Sequence, residues 1–252
     1  IPGLANRFLS WFAARVCVGF EPAVRFFPTD KVVYTGNPVR LALHTAVSAQ
    51  STGVDGKPFT ILVFGGSAGA HRLNQIVPQA LSLVHTDQMK QPPFQIIHQS
   101  GGADYEMVKA QYMETRIKAR VLPFIDAMQD VYGQADLVIC RAGAMTTAEL
   151  TLLGKPAILI PYPYAADDHQ RANAEALVQA GAARMVLDHV LTPELLGQEV
   201  VGLLREREKL VAMAHAAAAL GRPDATAMVV QTCMASASAS RTVDGEVSCQ
   251  TK

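Results

Sequence analysis

Residues 60–70 read Thr60-Ile61-Leu62-Val63-Phe64-Gly65-Gly66-Ser67-Ala68-Gly69-Ala70 and carry the strongest fold signal in the chain. The first five are apolar or β-branched without alternation, which is typical of a strand buried on both faces of a parallel sheet. Apolar residues then recur at helical spacing from Leu73 to Val84. A strand, a glycine turn and a helix N-terminus form a site suited to phosphate, because glycine lets the backbone approach an anion and the helix dipole favours it. The run lacks the spacing of a dinucleotide-binding or P-loop motif, so a turn required only for tight packing stays an open alternative.

The composition is that of a globular α/β protein without a charge bias. The chain has 252 residues, with 22 Lys and Arg against 22 Asp and Glu. This balance argues against nucleic acid as the main partner, since binding a phosphate backbone needs a basic surface. The four cysteines show no C-x-x-C spacing, which favours reduced thiols over a zinc site or a disulfide framework. No stretch reaches the roughly 18 apolar residues of a membrane span.

From residue 58 onward, strand and helix patterns alternate along the chain. Strands are predicted at 59–64, 94–98, 119–122, 136–140, 157–160 and 184–187, and helices at 71–85, 103–115, 126–133, 145–153, 169–180 and 193–217. Six such strand–helix units predict an α/β fold with a Rossmann-like, doubly wound parallel sheet that is covered by helices on both faces.

The residues ahead of this alternation carry a different pattern. Residues 4–18 predict one amphipathic helix, residues 31–34 predict a short strand, and residues 44–58 predict a loop. A Gly-Asn-Pro run at 36–38 marks a boundary between the two regions. We therefore predict four parts: residues 1–36, an α/β domain at 37–222, a last helix at 223–235, and a disordered tail at 236–252.

Ligands of open parallel sheets bind at the carboxyl ends of the strands, so the loops after the strands are the places to look for a site. In the loop after the fourth predicted strand of this domain, a glycine precedes a helix that carries Thr146, Thr147 and Glu149. The carboxylate could accept both hydroxyls of a ribose, while the threonine hydroxyls and helix N–H groups could bind phosphate. Thr146-x-x-Glu149 is also the pattern of a capping box, and spacing alone favours that alternative.

The loop after the fifth strand is rich in polar residues. Asp167, Asp168 and His169 could ligate a divalent metal, but Asp is an ordinary N-cap, so we predict no metal. Gln170 and Asn173 share one helix face and could both bind a sugar, or they could lie on a solvated face.

Three single residues are weaker candidates. His98 ends a strand and could face the same site, although a loop histidine without a role is the better interpretation. Ile125 follows another strand, where its backbone could pair with the edge of a base. Arg40 lies just after the Gly-Asn-Pro turn and could pair with a phosphate.

Taken in order, these segments resemble one known family. The matching segments are Thr35–Arg40, Gly65–Ala70 with Leu73-Asn74, His98–Gly101, Phe124–Asp126, Cys140–Ala144 with Thr146 and Glu149, and Asp168–Gln170 with Asn173-Ala174. The resemblance runs from Pro2 to Thr226 and is to the MurG family. Its members are inverting, metal-independent GT-B hexosyltransferases that use UDP-N-acetylglucosamine to complete lipid II in peptidoglycan synthesis.

The resemblance implies two Rossmann-like domains with the active site in the cleft between them, and a carboxyl-terminal domain that holds the donor without a cofactor. It implies that Ser67 binds the diphosphate, with Gly66 and Gly69 beside it, and that Ile125 meets the uracil. Residues 144–149 would contact the phosphate and the donor, with Glu149 on the ribose, and Gln170 would bind the sugar, with Asn173 nearby. The set at 144–149 consists of Ala144, Met145, Thr146, Thr147, Ala148 and Glu149. Arg40 would approach the nucleotide.

The chain also departs from the family pattern. Ala68 stands where members usually carry Gln, which puts one donor-site hydrogen bond in doubt. Residues 1–36 correspond only to the last helix and strand of the amino-terminal domain, which in the family carries the proposed general base and the contact with lipid I and the membrane. We therefore expect a soluble piece of a peripheral enzyme of the cytoplasmic face of the bacterial membrane, one that binds the donor without turnover and contains no catalytic residue. Another GT-B enzyme, such as a UDP-sugar epimerase or a lipid glucosyltransferase, and a non-catalytic nucleotide-sugar-binding module are the alternatives.

Overall fold

The computed structural model describes residues 2–48, 58–86, 94–115 and 117–246. The chain divides into two compact units, Ile1–Arg40 with Arg222–Lys252, and Leu41–Gly221. The four-part division predicted from the sequence stays a prediction.

The strands are β1 Val16–Val18, β2 Val32–Tyr34, β3 Phe59–Phe64, β4 Phe94–Gln99, β5 Ala119–Leu122, β6 Leu137–Cys140, β7 Ala157–Leu159 and β8 Ala183–Met185. The helices are α1 Leu4–Leu9, α2 Leu41–Ser48, α3 His71–Thr86, α4 Tyr105–Thr115, α5 Met128–Gln134, α6 Ala144–Leu152, α7 His169–Gln179, α8 Pro193–Arg205, α9 Arg207–Ala219 and α10 Ala225–Glu246. The predicted α/β fold is confirmed, and each of the six predicted strands of the main unit is present within about two residues of its expected ends.

A six-stranded parallel sheet forms the centre of the unit Leu41–Gly221. Its strand order is β5-β4-β3-β6-β7-β8, so the chain runs outward from β3 in one direction and then outward from β6 in the other. All six residues of β3 are buried, as expected for a central strand covered on both faces. The order reverses between β3 and β6, and a sheet of this kind offers a ligand-binding crevice outside the carboxyl ends of those two strands.

The predicted helix at 193–217 is two helices in the structure. Glu206 has φ −109° and ψ 68°, which ends α8, and α9 starts at the next residue. The break allows α9 to pack against α6, where it buries Leu210, Met213 and Ala217. Helical periodicity continues across Glu206, so the pattern alone did not reveal this change of direction.

The amino-terminal helix is much shorter than predicted. It ends at Leu9, where Ser10 donates its hydroxyl to the Arg7 carbonyl, and Val16–Val18 forms β1 instead of continuing the helix. The reason is that β1 pairs in parallel with β2, with Val16 opposite Val32, and β-branched residues suit that pairing. Phe8 and Phe12 are exposed.

The loop predicted at 44–58 is also partly wrong. Residues 44–48 belong to α2, which buries Leu43 and packs against α5 and α6, while 49–57 lie outside the described residues. The composition of Ser, Gly and Ala suggested a loop, but Ala and Leu are strong helix formers once a packing surface is present.

The last helix extends beyond its predicted end at residue 235. It runs to Glu246, so the expectation of disorder is wrong for 236–246, and residues 247–252 lie outside the description. Ser236 and Ser238 each donate a hydroxyl to the carbonyl four residues earlier, which satisfies these side chains within the helix.

Candidate functional site

The glycine turn after β3 has the backbone conformation that its sequence predicts. Gly66 and Gly69 have φ of 104° and 82°, a region that L-residues rarely adopt. A Cβ at Gly69 would collide with the Ser100 carbonyl oxygen, so the turn packs directly against the loop after β4. Gly66, Ser67 and Ala68 are exposed at its tip. The turn therefore presents backbone and a hydroxyl at the carboxyl end of the central strand.

A buried polar network holds the start of α3 against β4. Asn74 donates to the Ser100 carbonyl at 2.7 Å and to Asp104 at 2.8 Å. His98 lies between Tyr112 and the Asn74 carbonyl oxygen, each at 3.0 Å. Burial lowers the pKa of His98 to about 3, so the ring is neutral, donates from Nε2 to Asn74 and accepts from the Tyr112 hydroxyl. His98 thus has a structural role and does not line a ligand site.

Helix α6 begins directly after β6, beside the glycine turn in the sheet order. Its N-cap is Gly143, which has no side chain to cap the helix, so the first-turn N–H groups face the loop region. The predicted capping box is wrong, because the helix starts two residues before Thr146 and Glu149 lies in its second turn. Thr147 is fully buried and donates to the carbonyls of Gly143 and Ala144, so its side chain does not reach the surface.

The other residues of the predicted set are accessible. Ala144 and Met145 are exposed, and Thr146, Ala148 and Glu149 are half-buried. Glu149 accepts the hydroxyl of the buried Tyr132 at 3.0 Å. Burial and then the Glu149 charge raise the pKa of Tyr132, which therefore stays a hydrogen-bond donor that fixes one carboxylate oxygen.

Gln170 and Asn173 hold the loop after β6 in place. Gln170 Oε1 accepts the N–H of Ala142 at 3.2 Å and of Tyr162 at 3.0 Å, and Asn173 donates to the Ala142 carbonyl at 3.0 Å. Asn173 is buried, so it does not lie on a solvated face. The Gln170 amide nitrogen carries the donors that could still meet a ligand.

An ion-pair cluster ties three further elements together at the same end of the sheet. The buried Asp188 carboxylate accepts from Arg141 at 2.6 Å, and it also pairs with the more exposed Arg72, whose Nε lies 3.2 Å from Oδ1 and donates to the Asp188 carbonyl. Arg141 also donates to the carbonyls of Ile160 and Pro161, at 3.2 and 3.1 Å. One carboxylate therefore joins α3, the end of β6 and the turn after β8, and Arg141 supports the loop after β7.

The acidic pair before α7 does not act as a conventional cap. Asp167 and Asp168 both have φ near 50°, and Asp168 occupies the N-cap position without a side-chain capping bond. Within the described residues, no group of three or more His, Cys, Asp and Glu side chains is placed to hold a metal ion.

The remaining candidates occupy separate positions. Ile125 is buried and donates its N–H to Gln99 Oε1 at 2.8 Å, so only its carbonyl could accept from a ligand. Arg40 is exposed and belongs to the other compact unit. Gln99, Arg141 and Asp188 join these loops through hydrogen bonds, and the sequence pattern did not predict this role. Only their position, as polar residues at or just after the carboxyl end of a strand, could have indicated it.

A doubly wound parallel sheet with a glycine turn and a helix start at its switch point defines a Rossmann-like α/β domain. The chain belongs to glycosyltransferase family 28, since the model described as "Glycosyltransferase family 28 C-terminal domain" matches residues 60–229.

Relatives with a stated activity support the same assignment. The chain is 43% identical over 238 residues to the UDP-N-acetylglucosamine--N-acetylmuramyl-(pentapeptide) pyrophosphoryl-undecaprenol N-acetylglucosamine transferase of Geobacter metallireducens, covering 94% of this chain and 64% of the relative. It is 44% identical over 235 residues to the protein of that name from Nitrosospira multiformis, covering 93% and 64%. The crystal structure of MurG from Acinetobacter baumannii matches with a TM-score of 0.75 at 38% identity, covering 91% of this chain and 63% of that one. The chain thus spans a little under two thirds of the length of these proteins.

Among the described residues, no helix has the length and apolar character needed to cross a bilayer.

Proposed function

We propose that this chain supplies the donor-binding half of a transferase that moves N-acetylglucosamine from UDP-N-acetylglucosamine to undecaprenyl-pyrophosphoryl-MurNAc-pentapeptide, lipid I, to make lipid II. The observation that carries the proposal is the pair of glycine-bearing loops after β3 and β6, which flank the switch point of the sheet. Relatives that share this region are named for that transfer, and the first of them is 43% identical.

The proposed contacts follow from the accessible groups of these loops. Ser67 and the N–H groups beside it bind the diphosphate, because Gly66, Ser67 and Ala68 lie exposed in the turn that follows the central strand, and Gly69 closes that turn. Ala144, Met145 and Thr146 open α6 and bind the phosphate and the donor through its first-turn N–H groups. These dipoles are fixed before reaction, so they stabilise the charge that develops on the departing UDP.

The remaining contacts recognise the nucleoside and the sugar. Glu149 accepts the ribose hydroxyls through its carboxylate, which is held in one orientation by the hydrogen bond from Tyr132. The Ile125 carbonyl accepts the uracil N3–H, and the Gln170 amide nitrogen donates to the N-acetylglucosamine. Arg40 is the further residue that we propose for the nucleotide. Thr147, Ala148 and Asn173 are omitted, because Thr147 and Asn173 are buried and Ala148 has no polar side chain.

We propose that the acceptor, lipid I, meets the part of the enzyme that is present in the relatives and not matched by this chain. A lipid-linked acceptor places the reaction at a membrane surface, and we propose the cytoplasmic face with a peripheral attachment. The donor site uses neither a metal nor a cofactor in this proposal, because hydroxyls and helix N-termini supply the stabilisation of phosphate.

Calorimetric titration of the whole chain with UDP, 2′-deoxy-UDP and UDP-N-acetylglucosamine tests the donor site. Glu149→Gln keeps an oxygen that accepts from Tyr132 but loses the charge that holds two hydroxyls. We expect it to weaken UDP binding about 10-fold, and 2′-deoxy-UDP binding less, since a hydrogen bond to a charged group contributes about 1.5–3 kcal/mol.

Glu208→Gln is the matched control, because Glu208 is exposed in the first turn of α9. It should bind UDP as the wild-type chain does. A folded wild-type chain that binds neither UDP nor UDP-N-acetylglucosamine would refute the donor-site proposal, and equal losses for UDP and 2′-deoxy-UDP in Glu149→Gln would remove Glu149 from the ribose.

A further inference from the structure

One buried side chain connects two loops of the proposed donor site without lying in either of them. Gln99 is the last residue of β4 and is 4% exposed. Its Nε2 donates to the Gly66 carbonyl at 2.8 Å, and its Oε1 accepts the Ile125 N–H at 2.8 Å. A single amide thus bridges the turn after β3 and the loop after β5, the strands on either side of β4.

We propose that Gln99 is a positioning residue that fixes the separation between the diphosphate turn and the base-binding loop, so that a nucleoside diphosphate is bound as one unit. This inference rests on the proposed function, which assigns the diphosphate to the first loop and the uracil to the second. Gln99 itself touches neither ligand group; it acts through Gly66 and Ile125.

The chemistry of the side chain suits this role. The bridge needs a donor for a carbonyl and an acceptor for an N–H at the end of one side chain of this length, and a neutral amide offers both. Glutamate retains the acceptor but loses the donor, and its charge faces the Gly66 carbonyl. Leucine loses both groups: the buried Ile125 N–H loses its acceptor, and the Gly66 carbonyl keeps only the Gly69 N–H of its own turn, so the two loops are no longer joined.

Loss of the Gln99 bridge should change the affinity for UDP and the affinity for uridine by different amounts. UDP must contact the glycine turn and the base-binding loop at the same time. Once one loop holds the ligand, the gain from the other depends on how closely that loop is held at the right distance, that is, on its effective concentration. Uridine engages the base loop and Glu149 but has no diphosphate for the glycine turn. Loss of the bridge therefore weakens UDP binding more than uridine binding, and the ratio of the two affinities reports the separation of the loops.

Amide hydrogen exchange of the ligand-free 252-residue chain tests whether the bridge exists. The Ile125 N–H should be protected in the wild type and in Gln99→Glu, which keeps its acceptor, and should exchange at least 10-fold faster in Gln99→Leu. Fast exchange of the Ile125 N–H in the wild type would overturn the inference without any ligand being involved.

Titrations with UDP and uridine, followed by NMR, then test the role of the bridge in binding. Gln99→Leu and Gln99→Glu should each weaken UDP binding about 10-fold, the effect expected for a net hydrogen bond and the loop order it maintains, and should change uridine binding by about 2-fold or less. Gln95→Leu is the control, because Gln95 is on the same strand and donates to Thr60 Oγ1, away from the loops. It should leave the ratio of the affinities unchanged.

The outcomes separate the bridge from the proposed function. An unchanged ratio of UDP to uridine affinity in both Gln99 variants, with UDP still bound by the wild type, would overturn the positioning role and leave the donor site intact. Equal losses for the two ligands together with a lowered Tm would show that Gln99 only stabilises the fold. A wild type that binds no UDP would refute both, even if the exchange data show the bridge.

Discussion

At the scale of single residues, the buried ring of His98 links stability to pH. Its pKa is lowered to about 3 by burial, against 6.5 for a free histidine, so the folded chain holds it neutral while the unfolded chain binds a proton below pH 6.5. A proton taken up only by the unfolded state favours unfolding. Stability contributed by this residue is therefore complete above pH 6.5 and is lost as the pH falls towards 3.

Urea unfolding between pH 4.5 and 7.5 measures this effect. Below pH 6.5, His98 should lower the free energy of unfolding by about 1.4 kcal/mol for each further pH unit. The His98→Gln variant should have a lower free energy of unfolding than the wild type at pH 7.5. That free energy should fall less steeply as the pH is lowered, because the variant has no histidine at position 98 to protonate. His215→Gln is the control, because His215 is exposed and meets water in both states. Parallel pH profiles for wild type and His98→Gln would contradict the account.

The residues of the candidate site were predictable only in part. The glycine turn and the polar residues after β6 could be located because each follows a recognisable strand. The side-chain hydrogen bonds that join these loops could not be predicted, because they connect residues distant in the sequence. Gln99 and Ile125 are 26 residues apart, and Arg141 and Asp188 are 47 apart. Periodicity and local spacing carry no information on such pairs, and for the same reason the structural role of Asn173 was not foreseen.

At the scale of elements, the local hydrophobic pattern predicted strands and helices correctly where the tertiary contacts favour the same structure. The central strands β3, β6 and β7 are apolar or β-branched throughout and are buried along their whole length, as their composition predicts. The helix expected at 4–18 failed because β1 finds a parallel partner in β2, and the helix expected at 193–217 is broken at Glu206 because α9 packs on α6. In both regions a partner distant in the sequence overrode the local preference.

The cluster around Asp188 gives a prediction at this scale. Asp188→Asn removes the charge shared by Arg141 and Arg72, and Asp188 and Arg141 have only 10% and 11% of their side chains exposed. Breaking a buried pair leaves uncompensated charge, so the free energy of unfolding should fall by about 3–5 kcal/mol. Equilibrium urea unfolding measures it.

The surface pair of Arg171 and Glu175, four residues apart on α7, provides the contrast. Glu175→Gln should leave the unfolding free energy nearly unchanged, because exposed pairs contribute little. Similar losses in the two variants would mean that the Asp188 cluster does not hold the ends of the strands together.

At the scale of the whole molecule, the sheet order explains how residues that follow different strands come to lie at one edge. All strands of the main unit are parallel, so their carboxyl ends lie at one edge, and the order reverses there between β3 and β6. Side-chain hydrogen bonds from Gln99, Gln170, Asn173 and Asp188 join the loops at this edge to one another.

If the loops after β3, β5 and β6 bind the nucleotide of the donor, as we propose, an NMR titration of the whole chain with UDP should shift their backbone amides. The largest shifts are expected at Gly66–Gly69, at Ile125 and at Ala144–Glu149, with Gln170 added when UDP-N-acetylglucosamine replaces UDP. Shifts confined to residues outside these loops, or a folded spectrum that UDP leaves unchanged, would contradict this proposal.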